Sequence, residues 1–139
     1  MSDASDLPDD VRALLHDHIE SYEQLETLLL LRRERHEKWT GDALAARLRV
    51  RAELIETALA GLEASGLMAA TGAAPARFAY RPGSPGLDAA VGRLERMYAE
   101  RPILIIQLMS ANAIERLRTA ALHTFADAFV LSKRGKDRG

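Results

Sequence analysis

The chain has 139 residues, of which 47% are hydrophobic, 28% charged and 5% aromatic, with no cysteine and a formal net charge of -1. That length suits one domain with a real core, and the missing cysteines exclude disulfides, thiolate metal sites and cysteine nucleophiles. A pI near 6.4 lacks the footprint of a strongly basic nucleic-acid binder.

Charge is polarised along the chain. Residues 1–30 hold eight acids against Arg12 alone, residues 31–56 hold seven bases against five acids, and the tail SKRGKDRG holds four bases against one acid. The N-terminus MSDASDLPDD is acidic and polar, the opposite of an export signal. The most apolar run, Ile103 to Met109, is far shorter than the roughly 20 residues a membrane helix needs. The expectation is a soluble, cytoplasmic protein with no membrane partner.

In chain order, residues 1–7 are expected to be disordered. Pro8 with Asp9 and Asp10 then starts a short helix reaching about Ile19, because proline tolerates the first turn and acids favour the positive end of the helix dipole. Ser21 followed three residues later by Gln24 forms a capping-box pattern for a second helix to about Glu37. Its run of four leucines, 28–31, predicts burial on more than one side and hence a central helix. Arg32, Arg33, Arg35 and Lys38, interleaved with Glu34 and Glu37, read as an exposed, salt-bridged helix end.

Thr40 caps a helix over 41–48 with Leu44, Ala45 and Leu48 inside, Arg49-Val50-Arg51 forms a turn, and the next helix runs to about Ser65. In that helix Leu54, Ile55, Ala58, Leu59 and Leu62 match a 3.6-residue period, and Gly66 is the stop. Leu67–Thr71 and Arg77–Arg81 read as two strands of a hairpin with a flexible Gly/Pro/Ala tip.

Pro82 to Gly86 marks a linker, the clearest boundary in the chain. A helix from about Leu87 to Glu100 carries Leu87, Val91, Leu94 and Tyr98 on one face, and Pro102 interrupts the pattern. The run ILIIQLM suits either a strand or a helix, with the leading proline favouring helix. A last helix from about Ala111 to Ser132 lines up Ile114, Leu117, Ala121, Phe125 and Phe129. The organisation expected is therefore 8–83 as one domain, 84–132 as a C-terminal helical segment, and 133–139 as a disordered basic tail.

The segment WTGDALAARLRVRAELIETALAGLEASGLM, Trp39 to Met68, followed by RFAY at Arg77 to Tyr80, resembles the winged helix-turn-helix domain of small bacterial transcriptional regulators of the MarR-like and PadR-like groups. It covers about a third of the chain, and more if Ser21 to Glu37 is that domain's first helix. The fold class implied is mainly α with a small β-hairpin wing, followed by C-terminal helices. The resemblance implies double-stranded DNA as partner, with the helix after Arg51 in the major groove and the wing against phosphates or the minor groove. Carried onto this chain, the reading-side residues are Arg47, Arg49, Arg51, Ala52, Glu53, Glu56 and Thr57, with Arg77 and Arg81 on the wing.

Arginine can bridge guanine O6 and N7, and glutamate can accept from cytosine N4. Glu53, Glu56 and Glu63 nevertheless oppose approach to a polyanion, so a protein-interaction module with an acidic face is the alternative. The C-terminal apolar stripe either covers the winged helix or buries against a second copy, giving a homodimer. His16 and His18 stand two apart on a helix and face different sides, so no metal site is expected. No Walker loop, Gly-x-Ser-x-Gly, dinucleotide turn or His-Glu-x-x-His is present, so no cofactor and no catalytic role are expected.

Overall fold

Ser21 sets the start of the helix on which the rest is assembled. Its hydroxyl accepts from the Gln24 backbone N–H at 3.1 Å, and Gln24 Oε1 accepts from the Ser21 and Glu20 backbone N–H groups. The expected capping box is therefore complete. The computed structural model describes residues 7–72 and 74–137, with side chains to Val130.

Its elements are α1 (Asp9–Asp17), α2 (Tyr22–Arg33), β1 (Trp39–Thr40), α3 (Gly41–Leu48), α4 (Ala52–Ala64), β2 (Met68–Thr71), β3 (Arg77–Tyr80), α5 (Pro85–Glu100) and α6 (Pro102–Asp137). Helices dominate, with one small antiparallel sheet in the order β1-β3-β2. Most of the expected disordered N-terminus and the last two residues of the basic tail lie outside the described residues. Leu7, the one described residue of that N-terminus, is buried in the core.

The chain forms two compact units, one through Met109 and one from Ser110 onward. In the first, α2 is central: Leu25, Leu28, Leu29, Leu30 and Leu31 are all buried, and α2 packs against α3, α4 and β3. Each fully buried leucine contributes about 1.5–3 kcal/mol relative to exposure. Val11, Leu14 and Leu15 of α1, Ile55, Leu59 and Leu62 of α4, Val91 and Leu94 of α5, and Leu104, Ile105 and Met109 of early α6 complete this core.

Several elements depart from the expectations. The helix anticipated to Glu37 stops at Arg33, with Glu34 as its C-cap. Its closing arginines turn to α5 instead of the interleaved glutamates. Arg32 Nη1 donates to Glu95 Oε1 on α5 at 2.7 Å, with its side chain only 20% exposed. Gly92 makes room for it, since a Cβ there would lie 3.0 Å from the guanidinium.

Trp39 and Thr40 form a third strand opposite Phe78 and Arg77, turning the expected hairpin into a three-stranded sheet. Leu54, expected inside, is 38% exposed because it lies at the edge of the stripe formed by Ile55, Ala58, Leu59 and Leu62. Residues 103–109 are helical, and the two C-terminal segments are one helix, α6, which also continues past the expected end at Ser132. No proline or glycine lies between Pro102 and Leu131 to stop it.

In the second unit Ile114, Leu117, Leu122, Phe125 and Phe129 are each more than half exposed. Among the described residues, no helix is long and apolar enough to cross a membrane.

Candidate nucleic-acid interface

The turn between α3 and α4 is built on an uncommon backbone. Thr40 caps α3 by accepting from Ala43 N at 3.1 Å, and the helix closes at Arg49, which adopts φ 58° and ψ 46°. Arg49 is the only non-glycine residue with positive φ among those described. The left-handed conformation costs an L-residue about 1–2 kcal/mol, and glycine would avoid that cost. An exposed arginine kept at such a corner buries nothing in return, so its side chain is available for work outside the chain.

Arg51 occupies the N-cap of α4 but makes no side-chain capping bond, whereas α2, α3 and α5 are capped by Ser21, Thr40 and Ser84. The start of α4 thus presents backbone N–H groups and the positive end of its dipole beside the exposed Arg49 and Arg51. A phosphate or carboxylate is the natural complement of that arrangement. An arginine where a Ser, Thr or Asp is usual was the sequence signal for it.

The helical spacing of the buried stripe fixes where the other side chains of α4 point. Opposite the stripe lie Glu53, Thr57 and Ala64, all exposed. Thr57 returns its hydroxyl proton to Glu53 O at 3.0 Å, so its oxygen faces solvent only as an acceptor. Glu56 and Glu63 are turned toward the flank beside Leu59, where they line a groove facing the wing. Of the three glutamates, only Glu53 sits on the outward pole.

The wing pairs Met68 to Thr71 with Arg77 to Tyr80 in antiparallel register. Alternation along β3 sends Ala76 and Phe78 to the groove and Arg77 to the other face, and Arg77 and Arg81 are both exposed. Gly66, with φ 73°, ends α4 and allows Leu67 N to return to Leu62 O at 3.0 Å, so the wing begins directly at the helix end. At the other end of the wing the Tyr80 phenol donates to Asp88 of α5 at 2.6 Å, and Arg35 lies 5.8 Å from the Tyr80 ring centroid. Burial first, and then the Asp88 carboxylate, push the Tyr80 phenol well above the ordinary tyrosine range.

Of the residues singled out from sequence, Arg49 and Arg51 stand in the turn between α3 and α4, Ala52, Glu53 and Thr57 on the exposed N-terminal half of α4, and Glu56 on its groove-facing flank. Arg47 is exposed on the last turn of α3, and Arg77 and Arg81 stand on the wing. A helix-turn-helix whose second helix keeps one face exposed, with a wing packed beside it, defines a winged-helix protein.

No family model matches the chain, and no curated relative does. Solved structures do: a MarR family transcription regulator, SP03579, superposes with a TM-score of 0.51 and 18% identity over 85% of this chain and 80% of that one. A mutant of MepR from a multidrug-resistant S. aureus clinical isolate gives a TM-score of 0.51 and 14% identity over 86% of each chain. A second S. aureus MepR mutant gives 0.50 and 15% identity over 85% of this chain and 87% of that one. The chain thus shares the winged-helix fold of these structures at low sequence identity.

Proposed function

We propose that the chain is a DNA-binding transcriptional regulator acting in the cytoplasm. The observation that carries this reading is the uncapped start of α4 with Arg49, held in a left-handed turn, and Arg51 beside it. Arg77 and Arg81 on the wing add two further exposed cations. In this reading the four arginines hold phosphates, and Glu53 on the outward pole of α4 selects base edges that carry a donor, such as cytosine N4. Glu56 and Glu63 stand aside from the reading pole, which weakens the electrostatic objection to DNA. The likeness to a MarR family regulator in fold supports the same direction.

The exposed stripe Ile114, Leu117, Leu122, Phe125 and Phe129 favours a homodimer through the C-terminal segment. So much contiguous apolar surface is unusual on a monomer, and a two-fold pair suits palindromic half-sites. Sedimentation at micromolar concentration is expected to give a dimer, and a monomer there contradicts it. The DNA reading is tested by titrating labelled mixed genomic fragments with the protein at low salt, where binding is expected and its absence ends the proposal.

A further inference from the structure

The outward face of α4 has no hydrogen-bond donor to offer. The helix, AELIETALAGLEA, holds no Arg, Lys, His, Asn, Gln, Ser, Tyr or Trp, whereas among the described residues each of the other helices carries at least one arginine. Its single side-chain donor is the Thr57 hydroxyl, and that proton is used inside the helix, on Glu53 O at 3.0 Å. What faces outward is a pair of acceptors, the Glu53 carboxylate and the Thr57 oxygen. Their neighbours are apolar: Ala64, and Leu54 at the edge of the buried stripe, 38% exposed.

The major groove of DNA shows both kinds of partner. Its acceptors are guanine O6 and N7, adenine N7 and thymine O4, and its donors are the amino groups at cytosine N4 and adenine N6. A carboxylate set against an acceptor edge is repelled, and the Thr57 oxygen gains nothing there, because neither has a proton to give. The amino groups are the only base atoms that such a face bonds. Glu53 and Thr57 lie one turn apart, about 6 Å along the axis at roughly 1.5 Å per residue, close to two steps of about 3.4 Å along a DNA strand. Two nearby base pairs are therefore within reach of the two acceptors.

We propose that α4 selects DNA by exocyclic amino groups, with cytosine or adenine facing Glu53 and again facing Thr57, one or two base pairs apart. The proposal rests on the DNA reading above and divides its labour: the turn and wing arginines give affinity, and the donor-free face of α4 gives selectivity. One consequence separates this from other ways of choosing the same bases. In a paired duplex one hydrogen of the amino group is held by the partner base and the other faces the major groove. A methyl group on N4 or N6 replaces the second and removes the bond, while a methyl on cytosine C5 leaves it in place.

The full-length protein is tested on a duplex library randomised at its centre, first for total binding at low salt and then by sequencing the retained duplexes. Total binding reports the DNA reading, and the enriched sequence reports the selectivity. The expected motif holds cytosine or adenine at two positions one or two base pairs apart in each half-site. Glu53→Gln, whose amide both donates and accepts, should narrow one position to adenine by bridging N6 and N7. Thr57→Val, which keeps the shape and removes the acceptor, should lose preference at the other position alone. On the selected duplex, an N4-methyl or N6-methyl group at the base read by Glu53 should weaken the parent about fivefold or more and leave Glu53→Ala unaffected. C5-methylcytosine there should weaken neither. Both positions are exposed, and unchanged melting temperatures show the fold intact. Binding with no enriched motif, or a motif set by guanine and lost on Arg51→Ala instead, overturns the proposal while the DNA reading stands. Amino-group methylation without effect on the parent overturns it too. Absence of binding at low salt overturns both.

Discussion

The Tyr80 phenol donates to Asp88 Oδ1 at 2.6 Å, joining the last residue of the wing to the first turn of α5. Asp88 lies 3.9 Å from Arg32 Nε, and Arg32 is bonded to Glu95, so the wing, α5 and the central helix share one polar chain. Two four-residue strands are too short to hold an orientation by themselves. The angle of the wing beside α4 is therefore held from α5 as well as from its own ladder.

Removing that hydrogen bond with Tyr80→Phe is expected to cost about 1 kcal/mol, less than the roughly 1.5–3 kcal/mol usual for a charged acceptor, because Asp88 is 42% exposed and can take water instead. Urea unfolding measures the loss. Amide hydrogen exchange in 68–71 and 77–80 should quicken more than in α2. Equal protection of the wing in the variant and the parent would show that the bond does not hold it.

Stability should fall at both ends of the pH scale, for opposite reasons. Tyr80 and Tyr98 are pushed above the ordinary tyrosine range, each by burial first, then Tyr80 by Asp88 and Tyr98 by Tyr22 and Glu26. A raised folded value means the unfolded chain releases these protons first, so their contribution is intact below about pH 10 and is lost above it. Asp10 is shifted the other way, chiefly by its hydrogen bond from Arg93 Nε at 2.7 Å. Its contribution is present above about pH 4 and is lost as pH falls through the depressed folded value. Urea midpoints from pH 2 to 11 test both. Asp10→Asn should flatten the acid limb and Tyr80→Phe with Tyr98→Phe the alkaline one, and limbs unchanged in these variants would contradict the assignment.

Arg49 should show a conflict between stability and binding. Replacing it with glycine removes about 1–2 kcal/mol of left-handed strain and returns roughly 0.5–1 kcal/mol through the freer unfolded chain, a net gain of about 0.5 kcal/mol. Arg49→Ala keeps the strain and should gain nothing. Both should weaken DNA binding alike. A glycine variant that binds DNA as well as the parent would mean that the strained arginine serves no contact.

What the sequence made legible was local. Thr40 and Gly66 bracket α3 and α4 because caps and stops are chosen by neighbouring residues, and the observed bounds fall within a residue or two of those expected. The capping box at Ser21 and Gln24 was readable for the same reason. What escaped depended on partners far along the chain. β1 is two residues long and exists only because Trp39 and Thr40 pair with Phe78 and Arg77. The partner of Arg32 lies 63 residues away, and no pattern around Arg32 points to Glu95. At the interface, the residue types of Arg49 and Arg51 were visible, but the left-handed turn and the missing cap are backbone facts. The glutamates were visible too, while their division between the outward pole and the groove needed the wing to be in place.

The central claim is tested most directly by the salt dependence of DNA binding. Fluorescence anisotropy on a labelled mixed-sequence duplex, from 50 to 300 mM salt, gives the slope of log affinity against log salt. If Arg49, Arg51, Arg77 and Arg81 each neutralise one phosphate, that slope is about -3.6 per protomer and about -7 for a dimer. Arg51 is the residue to change, because its exposed side chain makes no capping bond to α4. Arg51→Ala should weaken binding and make the slope shallower by about 1 per protomer. No binding at 50 mM salt, or an affinity and slope unaltered by Arg51→Ala, would contradict the assignment of this helix end to DNA.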